Sequence, residues 1–364
     1  MYAIGRCESR NGAIAFVILW ASSDRHTKEQ ILEVGLYIRD YLDDPNRPLY
    51  EQLEDAGQIC RKAKSLGFSA IYAPQHFIAH PTVWLQPMQT LARLAPDADG
   101  LRLITGILLL PYFSPVDIAE QTATLDHISN GRFTLGVGIG YREKELEAFG
   151  TNRRDRVGRF EESITIMKRL WSGEEVTFNG KHWQVNQAKM AFTPVQKPHP
   201  PIWMAAQSTG AIRRAASLGD ACLIGPQPSW EDFRFLAKSY REEVAKLGNG
   251  SSGFLAANRS LAVARDRETA ITEARAAGEA KAGMYSSFNM QESTTVDLGL
   301  GSSRELGDWA IAGSPEDCAE TILRQHEEFG LDYIGFACLN MPKGLAARLE
   351  YLQLISEELL PRLR

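Results

Sequence analysis

The chain has 364 residues, with 40 basic and 45 acidic side chains and a formal net charge of −5. Hydrophobic residues make up 44% and charged residues 23%, which is ordinary for a soluble globular protein and excludes collagen-like, low-complexity and disordered chains. The mildly acidic balance, without a long basic stretch, provides no electrostatic footprint for nucleic acid, so we expect no nucleic-acid partner.

The first thirty residues differ in pattern from the rest of the chain. Their longest apolar run, residues 13–21, is too short to cross a bilayer, so we expect no membrane span. Arg6 and Arg10 precede that run as in a short signal peptide, which leaves export open as an alternative. Five cysteines without a CxxC pair favour a reducing compartment over a disulfide framework. We interpret residues 1–30 as an N-terminal extension of a cytoplasmic protein.

From residue 31 onward, short β-rich runs alternate with longer amphipathic runs. This alternation predicts parallel βαβ units, and eight such units predict one α/β domain over residues 31–364, a closed (βα)8 TIM barrel. The predicted strands are Glu33–Ile38, Ser69–Tyr72, Leu103–Leu109, Phe133–Gly138, Ile202–Ala206, Ala221–Ile224, Ser260–Ala264 and Tyr333–Cys338. The predicted helices are Tyr50–Leu66, Gln86–Ala95, Val116–His127, Val157–Trp171, Ala211–Leu218, Trp230–Leu247, Pro315–Phe329 and Leu345–Leu360.

Two insertions interrupt the repeat, one after helix 4 and one after strand 7. Ser172–Pro201 contains a hairpin-like stretch at Val176–Trp183 and a proline-rich return. Asp266–Gly313 carries one helical run and then the polar, Gly/Ser-rich segment Ser286–Gly307. Because long insertions in barrels are commonly functional or disordered, we interpret Ser286–Gly307 as a lid over the barrel mouth or as a disordered segment.

The carboxyl ends of barrel strands usually carry the active site. In this chain they carry amides, hydroxyls and glycines without a Ser-His-Asp set, which favours holding a cofactor over hydrolysis. Residues 136–141 resemble a dinucleotide fingerprint, but the third glycine is misplaced and the strand is the fourth one, so we exclude a Rossmann site. We expect Gly138 to let a flat ligand approach the backbone, with tight packing at a strand end as the alternative.

A candidate phosphate site comes after the fifth predicted strand. Gln207, Ser208, Thr209 and Gly210 lead into a helix whose first turns carry two arginines. Free backbone N–H groups at a helix start attract phosphate, and hydroxyls and arginines reinforce that attraction. An ordinary N-terminal helix cap is the alternative interpretation.

Histidines provide one candidate for proton transfer. His76 and His80 are four residues apart, but residues 74–96 contain no Asp or Glu, so we expect no metal site here. We expect His76 to point into the barrel mouth and His80 to lie on the loop surface.

Several stretches together resemble the luciferase-like flavin-dependent monooxygenases, the family of bacterial luciferase and alkanesulfonate monooxygenase. The resemblance implies a TIM barrel that binds reduced FMN at its strand ends, a separate flavin reductase that supplies it, and a homodimer. It further implies a non-prolyl cis peptide at Gly106–Ile107 beneath the flavin ring. Gly138, Tyr141, Gln207, Ser208, Thr209 and Gly210 then match positions around the flavin and its phosphate. The matching stretches are residues 67–77, 104–150, 201–220, 313–334 and 359–363.

Two positions depart from the family pattern. Bacterial luciferase carries two adjacent histidines, the first of them catalytic, where this chain has Gln75 and His76. We therefore predict His76 as the acid/base, since a glutamine side chain cannot serve as a general base, and Gln75 as a residue that orients the flavin or the bound oxygen. The arginine that helps to hold the flavin phosphate in luciferase falls at Ile139.

The resemblance predicts a flavin-dependent monooxygenase that uses reduced FMN and O2 on a small organic substrate. One alternative is a deazaflavin-dependent oxidoreductase that transfers hydride without oxygen. A second alternative is a non-catalytic flavin-binding subunit, for which the glutamine at position 75 is the main support.

Overall fold

A computed structural model describes residues 5–8, 14–17, 32–42, 44, 46–248, 253–286, 306 and 310–364. The strands are β1 Gly5–Glu8, β2 Ile14–Val17, β3 Glu33–Tyr37, β4 Ala70–Ala73, β5 Arg102–Thr105, β6 Leu108–Leu109, β7 Phe133–Gly138, β8 Val176–Asn179, β9 Gln184–Ala188, β10 Ile202–Ala205, β11 Ala221–Ile224, β12 Phe254–Val263, β13 Ala310–Gly313 and β14 Tyr333–Cys338. The helices are α1 Leu49–Ala63, α2 Pro87–Leu94, α3 Pro115–Ile128, α4 Glu143–Ala148, α5 Arg156–Trp171, α6 Thr209–Leu218, α7 Trp230–Leu247, α8 Arg267–Ser286, α9 Pro315–Phe329 and α10 Leu345–Leu354.

Eight of the strands close into a ring. The order is β3, β4, β5, β7, β10, β11, β12 and β14, and every neighbouring pair is parallel. The last strand, β14, pairs in parallel with β3 and completes the closure. The predicted (βα)8 TIM barrel is therefore confirmed.

The strands read as continuous apolar runs because both of their faces are covered. All six residues of β7 and all six of β14 are buried, as expected when helices pack outside a ring whose interior is filled by side chains. Inside the ring, a cluster that includes Tyr72, Trp203 and Tyr333 fills the space beneath the strand ends. The interior of the barrel is thus a packed core below its mouth.

The helix ends depend on local capping chemistry. At the start of α9, the Ser314 side chain accepts a hydrogen bond from Asp317 N, and the Asp317 carboxylate accepts one from Ser314 N. The same helix ends at Gly330, whose φ of +64° is the left-handed conformation that glycine adopts without a Cβ penalty. These caps determine where the helix begins and ends between β13 and β14.

The first insertion forms the predicted hairpin. Strands β8 and β9 pair antiparallel, and the carboxylate of Glu162 on α5 accepts hydrogen bonds from the backbone N–H groups of Lys181, His182 and Trp183 at 2.8–3.0 Å. The Arg159 guanidinium lies 4.1 Å from the centre of the Trp183 ring. The hairpin is therefore fastened to the outer helix α5.

Two predicted strands and one predicted insertion differ substantially from the structure. The third strand does not run unbroken from Leu103 to Leu109, because a cis peptide between Gly106 and Ile107 divides it into β5 and β6. The seventh strand begins at Phe254 rather than Ser260, since the alanine-rich residues before Ser260 are buried against both neighbouring strands. The second insertion contains, besides α8, the additional strand β13, which pairs in parallel with β12.

Two predictions concern residues that the structure hardly describes. The N-terminal extension, residues 1–30, lies outside the described residues apart from the antiparallel strands β1 and β2. The lid segment, residues 286–307, lies outside them except at residues 286 and 306. Of the helices in the described part of the chain, none has the length and apolar character to span a membrane.

Candidate active site

A cavity of about 190 Å³ opens at the carboxyl ends of the ring strands. Residues at or just after all eight strands contribute to its wall, which is the usual position of the active site in this fold. Its lining includes Tyr37, Tyr72, Gln75, His76, Trp84, Gly106, Ile107, Gly138, Gly140, Tyr141, Gln207, Ser208 and Asn258.

Backbone forms one side of the cavity. The peptide between Gly106 and Ile107 is cis, as the resemblance implied. A Cβ atom at Gly106 would lie 2.7 Å from Tyr72 Cδ2, and one at Gly138 would lie 2.0 Å from Ile107 Cδ1. Side chains at either position would displace their neighbours, so the two glycines keep this wall thin and flat.

Gln75 connects this wall to the second strand of the ring. Its Oε1 accepts a hydrogen bond from Leu109 N at 2.7 Å, and its Nε2 donates to Gln86 Oε1 at 2.8 Å. Only 5% of Gln75 is exposed. The carboxamide therefore holds the backbone that comes after the cis peptide.

His76 lies at the cavity wall in a hydrogen-bonded position. Its Nδ1 is 3.0 Å from Glu145 Oε1, and its Nε2 is 3.5 Å from the Tyr141 hydroxyl. The edge of its ring contacts Trp84, with the ring centres 4.6 Å apart. Because an ionised carboxylate only accepts hydrogen bonds, Nδ1 carries the hydrogen in this contact. The Nε2 atom is then the nitrogen on the Tyr141 side.

Glu145, on α4, is the central anion of this network and is fully buried. Its carboxylate also accepts hydrogen bonds from Phe77 N at 3.0 Å, Arg142 Nη1 at 2.7 Å and the Tyr112 hydroxyl at 3.3 Å. Burial raises the pKa of Glu145, but the hydrogen bond and charge of His76, together with the other donors, lower the pKa by more than burial raises it. The net pKa is therefore below the usual value, and Glu145 is ionised.

Basic side chains gather beside the start of α6. Ser208 caps this helix by accepting a hydrogen bond from Ala211 N, and Thr209 and Gly210 form its first turn just outside the cavity wall. Arg156 Nη1 donates to Gly140 O at 2.5 Å, while its buried Nε has no partner among the described residues. Burial first, and then the neighbouring charges of Arg153 and Arg214, lower the pKa of Arg156.

The structure therefore gathers the predicted site residues at one cavity. His76, Gln75, Gly106, Gly138, Tyr141, Gln207 and Ser208 line it, and Thr209 and Gly210 adjoin it. Sequence reasoning missed Glu145 and Arg156. The Arg-x-x-Glu spacing of Arg142 and Glu145 at a helix start was an available signal for the former, whereas only the fold brings Arg156 to the start of α6. Among the described residues, no three His, Cys, Asp or Glu side chains come together as metal ligands.

The closed ring and the cavity at its mouth define an α/β barrel protein with a pocket at the position where barrel enzymes carry their active site. A family profile described as luciferase-like monooxygenase matches residues 32–333 of this chain. The chain therefore belongs to the luciferase-like monooxygenase family. The resemblance inferred from the sequence and the predicted class, a flavin-dependent monooxygenase, are confirmed.

Two related sequences illustrate the range of similarity. The uncharacterised protein y4wF of Sinorhizobium fredii is 26% identical over 310 residues, which make up 83% of this chain and 89% of that protein. The oxygenase component of the flavin-dependent trigonelline monooxygenase of Acinetobacter baylyi is 31% identical over 182 residues, 50% of this chain and 49% of that protein. The second similarity thus spans about half of each protein.

Solved structures share the fold. Monooxygenase RslO1 of Streptomyces bottropensis superimposes with a TM-score of 0.77 at 22% identity, over 91% of this chain and 99% of that one. The oxygenating constituent of 3,6-diketocamphane monooxygenase of Pseudomonas putida, in complex with FMN, gives 0.73 at 19% identity over 91% and 98%. An F420-dependent secondary alcohol dehydrogenase gives 0.71 at 17% identity over 92% and 99%.

Proposed function

We propose that this protein is the oxygenase component of a two-component monooxygenase. A separate flavin reductase supplies it with reduced FMN, and it uses O2 to oxygenate a small organic substrate. One observation carries the proposal: a cavity with a glycine-lined wall lies next to a capped helix start and a cluster of arginines. The trigonelline relative, named as an oxygenase component, and the FMN complex of the diketocamphane enzyme support it.

The residues present fit FMN. Backbone N–H groups at the first turn of α6 are natural phosphate donors, and the orphaned Nε of Arg156 is a further one. Arg156 and Arg214 come from α5 and α6, and they provide the positive charge that Ile139 cannot provide. Gly106 and Gly138 leave room for a ring against the backbone.

The chain's own groups have distinct tasks in this proposal. Reduced FMN, when bound, supplies the electrons that activate O2. His76 Nε2 holds or donates a proton at the cavity wall, and Glu145 keeps the opposite nitrogen protonated. Gln75 acts as a positioning residue, because both ends of its carboxamide bind protein groups. The rings of Trp84 and Tyr141 reduce the access of water to His76.

A binding titration tests the phosphate site. We expect the protein to bind FMN about tenfold or more tightly than riboflavin, because riboflavin lacks the phosphate. Arg156→Met removes most of this preference. Arg169→Met is the matched control, since Arg169 lies at the other end of α5 and pairs on the surface with Glu174. Equal affinity for FMN and riboflavin in the wild type, measured by flavin fluorescence, would contradict the proposal.

A turnover assay tests the chemistry. With a flavin reductase, NADH and a panel of small organic substrates, we expect O2 consumption that exceeds the substrate-free rate and accompanies loss of substrate. His76→Ala should abolish this coupling while FMN binding persists. Coupled turnover that survives His76→Ala would remove the acid/base assignment.

A deazaflavin-dependent oxidoreductase is the second candidate, because the fold is shared with an F420-dependent alcohol dehydrogenase and a helix-start phosphate site suits either cofactor. The same titration separates the two. Tight binding of F420 without binding of FMN, and hydride transfer without O2 consumption, would favour the deazaflavin enzyme.

We also propose that the protein is a cytoplasmic homodimer. The family resemblance supports the dimer, and the four described cysteines, which are all buried and form no disulfide bond with one another, suit a reducing compartment. Light scattering should then give about twice the chain mass of 40.5 kDa. A single-chain mass at micromolar concentration would contradict the dimer.

A further inference from the structure

A carboxylate, an imidazole and a hydroxyl follow one another along one side of the cavity. Glu145 Oε1 lies 3.0 Å from His76 Nδ1, and His76 Nε2 lies 3.5 Å from the Tyr141 hydroxyl. Both His76 and Tyr141 line the cavity, whereas Glu145 is fully buried behind them. In this order a carboxylate orients an imidazole, and the imidazole exchanges a proton with the hydroxyl, which is how enzymes activate a weakly acidic O–H group.

The backbone holds Tyr141 in place at the mouth of the barrel. Gly140, directly before it, has a φ of +73°, a conformation that glycine adopts without a Cβ penalty. Arg156 Nη1 donates to Gly140 O at 2.5 Å. Arg142, directly after Tyr141, donates to Glu145 at 2.7 Å. Both neighbours of Tyr141 in the chain are therefore anchored, one to α5 and the other to the buried carboxylate.

Tyr141 is the more accessible of the two groups that line the cavity. His76 is 8% exposed, whereas Tyr141 is partly exposed. The rings of Trp84 and Tyr141 stand nearly perpendicular to the imidazole, with their centres 4.6 and 5.7 Å from its centre. A ligand in the cavity can therefore contact Tyr141 while His76 stays enclosed between two aromatic rings.

The hydrogen-bond directions define a path for one proton. With its hydrogen on Nδ1 facing Glu145, the neutral His76 ring has its lone pair on Nε2, so the Tyr141 hydroxyl donates to Nε2. The lone pairs of the Tyr141 oxygen then remain for a ligand O–H group. When the ligand proton moves to the Tyr141 oxygen, the original Tyr141 proton moves to Nε2, and the imidazolium that forms lies beside the Glu145 carboxylate.

We propose that Tyr141 is a second catalytic residue, which passes a proton between an oxygen atom of the ligand and His76 Nε2. This inference deepens the proposed function and rests on it. The O–H bond of the ligand breaks, an N–H bond forms at Nε2, and the tyrosine exchanges one proton for another without keeping a charge. The reverse sequence returns the proton to the ligand. Apo hydrogen bonds in such paths are commonly long and tighten when a ligand is bound, which fits the 3.5 Å contact.

Nitrogen-15 spectra of the protein without flavin test the contact directly. Tyr141→Phe removes the donor to Nε2, so the Nε2 resonance of His76 should shift while Nδ1 keeps its hydrogen. Tyr333→Phe is the matched control, because the Tyr333 hydroxyl is buried among side chains inside the barrel and Tyr333 does not line the cavity. This control should leave both ring nitrogens unchanged. An Nε2 resonance that does not respond to Tyr141→Phe overturns the inference.

Turnover separates a catalytic role from a structural one. With a flavin reductase, NADH and a substrate that shows coupled O2 consumption, Tyr141→Phe should reduce kcat about 100-fold, the lower end of what one proton-transfer group contributes. The KM for substrate, the FMN affinity and the free energy of unfolding should stay close to wild type, because a phenyl ring preserves the packing of the phenol ring. A kcat within about threefold of wild type, or an FMN affinity reduced about tenfold, would show that Tyr141 does not act by transferring a proton.

The outcomes distinguish this inference from the proposed function. If wild-type protein binds FMN and couples O2 consumption to loss of substrate, and Tyr141→Phe does so equally well, only the present inference fails. If wild-type protein binds no FMN or shows no coupled O2 consumption, the proposed function fails, and the assignment of Tyr141 fails with it.

Discussion

Replacing Glu145 with glutamine removes one buried negative charge and preserves the shape of the side chain. Arg142, which is 8% exposed, would then keep a buried positive charge without its carboxylate partner. Removing one member of a buried ion pair typically costs about 3–5 kcal/mol. Arg142 retains hydrogen bonds to Phe77 O and Ile78 O, so we expect Glu145→Gln to lower the free energy of unfolding by about 3 kcal/mol, the low end of that range.

The effect depends on pH in a definite direction. The pKa of Glu145 in the folded protein lies below its value in the unfolded chain, roughly 4.3. The carboxylate therefore stabilises the fold at pH values above the unfolded pKa, and this contribution disappears as the pH falls through the folded pKa. The stability difference between wild type and Glu145→Gln should be largest near neutral pH and should shrink below about pH 4.

Urea denaturation monitored by circular dichroism measures both effects. Glu147→Gln is the control, because Glu147 lies on the same helix with an exposed side chain. Nitrogen-15 spectra of His76 should show hydrogen on Nδ1 in the wild type and a mixture of tautomers in Glu145→Gln. The reasoning is refuted if the two glutamine variants differ by less than 1 kcal/mol at neutral pH, below the roughly 3 kcal/mol expected, or if their difference persists in acid.

Two further predictions concern the cavity wall and the thiols. Gly138→Ala should push Ile107 into the cavity and weaken FMN binding about tenfold. Gly150→Ala is the control: its Cβ would lie in open space, and its φ of +64° should cost only about 1 kcal/mol of stability and no FMN affinity. Equal FMN affinities of the two variants would contradict this prediction. Burial raises the pKa of Cys60 and Cys318 to about 12, so Ellman's reagent at pH 8 should modify neither before unfolding, and rapid modification of the native protein would count against the described packing.

The barrel was predictable because its strands and helices differ in hydrophobic period along the chain. The exceptions have physical reasons. In β12, the residues before Ser260 include Asn258 and the fully buried Arg259, polar types that obscure a strand in sequence. The interruption at Gly106 became predictable only through family resemblance, because glycine in a strand has several structural explanations.

The candidate site was predictable where function depends on position in the fold. Residues at strand ends, such as His76 and Ser208, could be selected because the barrel itself orients those ends toward one mouth. Glu145 could not be assigned a partner from sequence, since its contact with His76 joins residues 69 positions apart. Arg156 lies on an outer helix, and its approach to Gly140 depends on how α5 packs against the ring.

The hydrogen bond from Leu109 N to Gln75 affects how this enzyme could be re-engineered. Exchanging Gln75 for the histidine that bacterial luciferase carries at the matching position would add an imidazole. It would also remove the side-chain amide that accepts the hydrogen bond from Leu109 N and so supports the backbone that follows the Gly106–Ile107 peptide. A light-emitting variant would therefore need compensating changes along Leu108–Leu109 as well as the new side chain. A single exchange at position 75 would thus alter the cavity side chain and the support of the neighbouring main chain at the same time.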